Sequence, residues 1–194
     1  MSKFQTTIIK GKYKGKKIDL PSMDTTRSSK SVVKESYFNT IQFDIIDANI
    51  VEVFSGSGSV GLEAISRGAG HAFFMEKDKD AFNVLSKNIR NLGAENSTAI
   101  RGNSFETIST VIKTLTRQKQ KAFFYVDPPF SFREGMEDIY NNMLKMLASI
   151  PLEMIELVTI EHMTGLELPE TIGSLTLKKT KKFGKTSLTH YIIK

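Results

Sequence analysis

The residues of this 194-residue chain that are best suited to chemistry begin with a glycine-rich stretch. Residues 56–61 read GSGSVG and satisfy the pattern G-x-G-x-x-G between a predicted strand and a predicted helix. Glycines let such a loop turn tightly and let a ligand approach the backbone, and the helix N-terminus offers unpaired N–H groups. Twenty residues after Gly56, at the end of the next predicted strand, Glu76 can accept hydrogen bonds from both hydroxyls of a ribose. The spacing therefore predicts a nucleoside-containing ligand, either a dinucleotide or S-adenosylmethionine.

Glu52 lies inside the predicted strand that precedes the glycines, where a nicotinamide-binding domain normally has an apolar residue. A carboxylate in a buried strand is costly unless it is paired. A carboxylate that faces the ammonium group of a ligand would be paired, which favours S-adenosylmethionine over a dinucleotide. The alternative is structural: the glycines form a turn, Glu52 pairs with a lysine and Glu76 caps a helix.

A second candidate site follows the predicted strand 122–126, which is nearly apolar throughout. Residues 127–130 read DPPF and lie at a strand's carboxyl end, where open parallel sheets bind ligands. The prolines fix the backbone and remove two amide donors, which leaves carbonyl oxygens as acceptors. Asp127 and the carbonyl of Pro128 would accept the hydrogens of an exocyclic amine on a nucleobase, and Phe130 would stack on its ring. The alternative is a structural turn followed by a core phenylalanine.

The elements that must position these residues alternate between strands and helices. From residue 50 onward, short apolar runs alternate with segments of helical period, which is typical of a parallel sheet with helices on both faces. A closing antiparallel hairpin is predicted around residues 183–185. We therefore predict an α/β fold with a mostly parallel, seven-stranded sheet, whose strands cover residues 50–54, 72–75, 97–101, 122–126, 157–160, 175–177 and 188–193.

The net charge of +6 comes entirely from the first 40 residues, because residues 41–194 contain equal numbers of acidic and basic side chains. This pattern divides the chain into a basic N-terminal extension, residues 1–40, with a β-rich arm and a helix, and a body, residues 41–194. Lysines that approach phosphates release condensed counterions, so we expect the extension to bind a polyanion. The alternative is a solvated tail. The role of a second basic run, residues 178–185, stays open.

Composition excludes several other classes of site. The chain has no cysteine, which excludes disulfides, thiol nucleophiles, thiolate zinc sites and iron–sulfur clusters. Its three histidines lie far apart and lack the spacing of metal ligands, so we expect no metal. No stretch reaches the roughly 20 apolar residues that span a bilayer, and no secretory signal is visible at the start. We expect a cytoplasmic protein that does not contact membranes.

These residues resemble the RsmD-like family of bacterial methyltransferases, which modify N2 of a guanine in the 16S rRNA of the small ribosomal subunit. The resemblance covers nearly the whole chain. Its most specific piece is residues 54–68, FSGSGSVGLEAISRG, and the other pieces are residues 9–17, 27–39, 76–78 and 127–130. Three positions depart from the pattern: Ser28 replaces a proline, Val32 occupies an arginine position, and Asn103 stands where related methyltransferases often have aspartate.

The resemblance implies a Rossmann-like fold, S-adenosylmethionine as the cofactor, and a monomeric enzyme whose partner is 16S rRNA within the 30S subunit or an assembly intermediate. By position, the residues that hold the cofactor would be Glu52, Ser55, Gly56, Ser57, Gly58, Glu76, Lys77, Asn103 and Ser104. The catalytic residues would be Asp127, Pro128 and Phe130. RNA would be contacted by Lys12, Lys14, Lys16, Lys17, Arg27, Lys30 and Lys34.

Three alternative functions stay open at this point. An adenine-N6 methyltransferase that acts on DNA can carry the same tetrad, although such enzymes usually devote an extra segment to reading base sequence and this chain has no room for one. A non-catalytic RNA-binding or ribosome-assembly factor could keep the fold, although Asp127 argues against it. A nicotinamide oxidoreductase is disfavoured by Glu52 and by the short chain.

Overall fold

The computed structural model of the protein describes residues 4–21, 27–129 and 138–194, with the backbone alone for residues 27–30. Strands and helices alternate over the body of the chain, and a single turn of 3₁₀ helix, Leu152–Met154, leads into strand β7. In chain order the elements are β1 (Gln5–Thr7), β2 (Lys17–Asp19), α1 (Arg27–Thr40), β3 (Asn49–Val53), α2 (Ser59–Ser66), β4 (His71–Glu76), α3 (Lys79–Leu92), β5 (Ser97–Arg101), α4 (Ser104–Gln118), β6 (Ala122–Val126), α5 (Ile139–Ala148), β7 (Ile155–Met163), β8 (Thr171–Ile172), β9 (Leu175–Phe183) and β10 (Thr186–Ile193).

One mixed sheet forms the centre of the molecule, with the strand order β5-β4-β3-β6-β7-β10-β9-β8. The five strands from β5 to β7 are parallel, and β10, β9 and β8 extend the sheet with antiparallel pairing. The predicted α/β fold, with a mostly parallel sheet and a C-terminal hairpin, is thus confirmed. The sheet has one strand more than predicted, because β8 contains two residues and is too short to show a period in the sequence.

Helices cover both faces of the sheet. Every residue of β3 and β6 is buried, as expected for strands that pack against helices on both sides. On one face, apolar side chains of α1, α2 and α3 form a buried cluster with the sheet, and on the other face α4 and α5 form a second cluster. Among the described residues, no helix combines the length and the apolar surface that a bilayer-spanning segment requires. Because helices cover both faces, a ligand can reach this sheet only at its edges, and open parallel sheets bind ligands beyond the carboxyl ends of their strands. The loops after the parallel strands are where we expect a site.

Two of these loops are short because a polar side chain starts the next helix at once. Asp78 accepts hydrogen bonds from the N–H groups of residues 80 and 81 at the start of α3, and Asn103 accepts one from Phe105 at the start of α4. Gly93 ends α3 in the left-handed conformation, at the position predicted from the sequence. Side chains in these loops consequently stay close to the carboxyl edge of the sheet.

The N-terminal extension packs against helix α2. Its strands β1 and β2 form an antiparallel pair. The carboxylate of Glu63 in α2 accepts the backbone N–H groups of residues 9 and 10, at 2.7 and 3.0 Å. Gly11 approaches so closely that a Cβ there would lie 1.7 Å from the carbonyl oxygen of Ser66. Three apolar side chains of the extension are buried in the same cluster as α2: Ile8, Tyr13 and Ile18. The division of the chain at residue 40 stays a prediction.

Candidate active site

A cavity of about 140 Å³ opens at the carboxyl ends of β3 and β6. Asp127 and the glycine-rich loop border the same cavity, which is the arrangement that the sequence argument requires. The N-terminal extension, including helix α1, supplies a second part of the wall, and Tyr125 and Glu161 of the sheet supply a third. The lining residues are Thr6, Leu20, Pro21, Ser31, Lys34, Glu52, Phe54, Ser55, Gly56, Ser57, Ser59, Val60, Tyr125, Asp127 and Glu161.

The glycine-rich loop has an unusual backbone. Phe54, Gly56 and Gly58 all have positive φ angles, of 61°, 53° and 77°. A positive φ is strained for a residue with a side chain, and such strain often accompanies functional sites. The ring of Phe54 packs edge-to-face against Phe105, with centroids 5.6 Å apart, which helps to hold this conformation. At Gly58 the left-handed conformation, with φ of 77°, favours glycine, whereas the nearest atom to an added Cβ is the mobile end of the Leu85 side chain, at 2.5 Å.

Glu76 holds the other side of this loop. Its Oε2 atom accepts the N–H of Gly56 at 2.7 Å, and its Oε1 atom accepts the N–H of Asp78 at the same distance. A carboxylate offers about four lone-pair sites. Glu76 can therefore keep the loop in place and also accept the hydroxyls of a ribose.

Glu52 belongs to β3, and its buried side chain contacts the first turn of α2. Its Oε1 atom accepts the N–H of Val60 at 3.1 Å, and its Oε2 atom accepts the N–H of Gly61 at 2.8 Å. Burial raises the pKa of Glu52 to about 7; the N–H groups of Gly61 and Val60 oppose the shift, Asp127 adds to it and Lys34 opposes it. A carboxylate with this pKa on the wall of a cavity is suited to pair with a positively charged group of a ligand.

Lys34 requires a correction to the predicted set of RNA contacts. It is buried, and its Nζ atom lies 3.4 Å from the Glu63 carboxylate, which Arg67 also contacts at 2.8 Å. Burial lowers the pKa of Lys34, and the neighbouring Glu63 partly restores it. The Nζ atom of Lys34 also lies 3.5 Å from the carbonyl oxygen of Thr7 in β1, so the side chain is enclosed between β1 and α2 and is not in solvent. Lys34 belongs to the cavity wall and is unsuited to an external RNA contact.

Asp127 directly follows β6, and its neighbours add two polar groups that the sequence argument missed. The N–H of Asp127 lies 3.5 Å from the carbonyl of Val53, which ties the two strand ends together. The hydroxyl of Tyr125 donates to Glu161 Oε2 at 2.5 Å. Burial raises the pKa of Tyr125 well above its usual range, and the carboxylates of Glu161 and Asp127 add to that shift. Glu161 immediately follows the predicted strand 157–160, just as Asp127 follows 122–126, and this parallel is the signal that could have found it.

The remaining predicted catalytic residues are only partly described. Pro128 is buried, and the neighbouring Pro129 is exposed. Phe130 lies outside the described residues, so its stacking role stays a prediction.

Three predicted cofactor residues lie on neighbouring strand ends, outside the wall of the 140 Å³ cavity. Asn103 uses its side chain to cap α4, where its Oδ1 atom accepts the N–H of Phe105 at 3.2 Å. Ser104 is buried and Lys77 is exposed. They share the carboxyl edge of the sheet with Glu76, which also lies outside the cavity wall. Their contact with a cofactor stays a prediction.

Four exposed lysines, Lys12, Lys14, Lys16 and Lys17, form what we call the lysine loop. The Nζ atoms of Lys12 and Lys16 each lie 5.2 Å from the centroid of the Tyr13 ring, which organises this positive surface. Arg27 and Lys30 belong to α1, but their side chains lie outside the described residues. The extension therefore presents a compact basic surface next to helix α2.

The basic run 178–185 belongs to β9 and its turn. A second cavity, of about 430 Å³, lies near the amino ends of β6 and β7 and is lined by Lys178, Lys179, Lys181 and His190. Within the described ranges, no group of three or more acidic or histidine side chains could hold a metal ion.

Comparison with known proteins identifies the family. A family model described as "Conserved hypothetical protein 95" matches residues 6–192. The chain belongs to this family. The ribosomal RNA small subunit methyltransferase D of Haemophilus influenzae is 32% identical over 175 residues, which cover 86% of this chain and 89% of that protein. The protein of the same name from Escherichia coli K12 is 29% identical over 187 residues, or 96% and 89% of the two chains.

A solved structure supports the same assignment. The Escherichia coli protein yhhF, named as a methyltransferase, matches with a TM-score of 0.76 and 27% identity over 98% of this chain and 99% of that one. The RsmD-like resemblance is thus confirmed over most of the chain. Val32, at the departing arginine position of this family member, is 53% exposed on α1.

Proposed function

We propose that this protein transfers a methyl group from S-adenosylmethionine to the exocyclic N2 of a guanine in 16S rRNA. It acts in the cytoplasm as a monomer, on the 30S subunit or an assembly intermediate. The methyltransferase names of the relatives support the reaction class, and their small-subunit rRNA names support the substrate. The observation that carries the proposal is that Asp127 and the glycine-rich loop border one cavity.

The residues at the carboxyl edge of the sheet fit S-adenosylmethionine, which supplies a methyl group already activated by a positive sulfur. The left-handed loop lets the ligand approach Gly56 and Gly58, and Glu76 beside it accepts ribose hydroxyls. Glu52 faces the positive amino-acid end of the ligand. Asn103 and Ser104, which follow β5, would lie near the adenine. Ser55, Ser57 and Lys77 complete this set.

Asp127 makes the guanine amine reactive by orienting it. An aryl amine is a poor nucleophile because its lone pair is delocalised into the ring. Asp127 and the Pro128 carbonyl accept the N2 hydrogens, and Phe130 stacks on the purine, so the nitrogen lone pair points at the methyl carbon. S-adenosylmethionine would supply the methyl group to this nitrogen and would leave as a neutral thioether, while the proton that N2 gives up would pass to the Asp127 carboxylate and from there to water. Positioning and polar orientation supply the rate enhancement.

The lysine loop brings the RNA to this cavity. Its side chains are exposed, and the extension that carries them is fixed to α2 by Glu63 and by the close approach at Gly11. Phosphates bound there are therefore held at a fixed distance from the glycine-rich loop. The target guanine must leave its stack to enter the cavity, so paired guanines should react poorly.

The test is methyl transfer from radiolabelled S-adenosylmethionine to 30S subunits, naked 16S rRNA and duplex DNA, with nucleoside analysis by mass spectrometry. The proposal predicts N2-methylguanosine in rRNA. Label in DNA alone, as N6-methyl-2′-deoxyadenosine, would instead identify a DNA adenine methyltransferase. Tight rRNA binding without any transfer would identify a non-catalytic assembly factor.

A further inference from the structure

We propose that Glu161 selects guanine at this site by accepting the N1–H of the base, and that Tyr125 positions its carboxylate. This inference rests on the proposed guanine substrate. It assigns the second carboxylate at the strand ends to the base, next to Asp127.

The sheet places the two carboxylates side by side. Val126 of β6 pairs in register with Ile160 of β7. Asp127 and Glu161 are the next residues on these two parallel strands, and adjacent strands lie about 4.8 Å apart. Both residues line the 140 Å³ cavity. A flat base edge that meets Asp127 therefore also meets Glu161.

Glu161 is buried, and its geometry is fixed by Tyr125. The residue is 4% exposed, although it borders the cavity. The Tyr125 hydroxyl donates to Oε2 at 2.5 Å. The Tyr125 ring is itself held edge-to-face against Tyr37, with centroids 4.8 Å apart. A buried carboxylate is costly, and a held one offers a preorganised acceptor to a ligand that brings its own donors.

Guanine matches two adjacent acceptors, and other purines do not. Its Watson–Crick edge presents two neighbouring donor groups, N1–H and the N2 amine. An ionised carboxylate only accepts hydrogen bonds. Asp127 would accept from N2 and Glu161 from N1. Adenine presents a bare N1 lone pair, which would face the carboxylate oxygens and be repelled, so Glu161 would exclude adenine from this cavity.

The decisive substrate is 2-aminopurine, which keeps the N2 amine but has a bare N1. Once the methylated position is mapped, 16S rRNA is ligated from a synthetic segment with guanosine or 2-aminopurine at that position, and assembled into subunits where methylation requires it. We expect the wild-type protein to prefer guanosine by about 10- to 100-fold in kcat/KM, the range of one oriented base contact. Equal rates on the two bases would overturn the inference.

The decisive variant is Glu161→Gln, whose amide can donate to a bare N1. It should lose about tenfold on guanosine and gain on 2-aminopurine, so that the preference falls to near unity or reverses. Glu156→Gln changes an exposed carboxylate of the same strand and should leave the preference unchanged. An equal loss on both bases in Glu161→Gln would mean a structural role and would overturn the inference.

Tyr125→Phe provides an independent test, which can also be used if Glu161→Gln does not fold. It keeps the Glu161 carboxylate but removes the bond that holds it. The preference for guanosine should fall several-fold, whereas an unchanged preference would count against the inference. If the wild-type protein methylates DNA adenine and no guanine, the proposed function itself is wrong, which is a distinct result.

Discussion

The carboxyl edge of the sheet has two halves that differ in how their polar groups are used. At the ends of β3, β6 and β7, Glu52 and Glu161 are buried and Asp127 is half-buried, all around one cavity. At the ends of β4 and β5, Glu76 and Asn103 lie outside that cavity and accept backbone N–H groups: Glu76 from its own loop and from Gly56 of the glycine-rich loop, and Asn103 from the start of α4. The first half is built for a ligand that must be desolvated and oriented. In the second half the polar groups are already held by the backbone, so they offer a preorganised surface for a ligand to bind.

The enclosed half should control turnover. Asp127→Ala should lower kcat by at least about 100-fold, because it removes an oriented acceptor from the amine. Cofactor binding, measured by calorimetry with S-adenosylmethionine, should stay within about twofold of wild type. Asp44→Ala, which removes an exposed carboxylate after α1, is the matched control and should change neither quantity. If Asp127→Ala kept the wild-type kcat, the enclosed half would not control turnover, and the proposed difference between the two halves would be wrong.

The open half should control cofactor affinity. Glu76→Ala removes the acceptor for the Gly56 N–H and for the ribose hydroxyls, each a hydrogen bond to a charged group worth about 1.5–3 kcal/mol. The Kd for S-adenosylmethionine should rise about 10- to 100-fold, the equivalent of one such hydrogen bond, while kcat at saturating cofactor changes less than threefold. A large kcat loss without a change in Kd would assign Glu76 to the chemistry and contradict this comparison.

The lysine loop lies outside both halves and should affect only RNA binding. Changing its four lysines to glutamine should weaken rRNA affinity about tenfold at moderate salt. The negative slope of log affinity against log salt should become shallower by about 3. The control changes four lysines on or near α4 and α5, on the other face of the sheet: Lys113, Lys119, Lys121 and Lys145. An equal effect from the control set would mean that RNA contact is not localised on the extension.

The smallest expected effect is a pH dependence that comes from burial in the enclosed half. Glu52 has a pKa of about 7, so it is mostly protonated at pH 6 and mostly ionised at pH 8. A positive ligand group favours the ionised form, so cofactor affinity should rise several-fold from pH 6 to pH 8, with release of a proton on binding. Glu52→Gln should abolish this rise. Asp127 and Lys34 also act on Glu52, so Asp127→Asn should move the midpoint downward without removing it.

The sequence predicted the central fold well because its signals are local. The apolar run 122–126 and the helical spacing that ends at Gly93 both correspond to observed elements. The strand β8 was missed because two residues carry no period. The burial of Lys34 was missed for a different reason. Its partner Glu63 is 29 positions away, and the N-terminal segment that encloses Lys34 packs on α2 through contacts more than 50 residues apart.

The site was predicted in part, for the same reason. Glycines and a DPPF tetrad are recognisable in short windows, and Asp127 does border the cavity next to Gly56. The Tyr125–Glu161 pair joins residues 36 positions apart, and a tyrosine in an apolar strand looks like core. Only the register of β6 against β7 shows that both carboxylates share one wall.

The most direct test of the central claim is the N2-methylguanosine content of 16S rRNA from cells without this gene, measured by mass spectrometry. The modification should be absent there, restored by the wild-type gene and not restored by Asp127→Ala. An unchanged content without the gene, or full restoration by Asp127→Ala, would contradict the account.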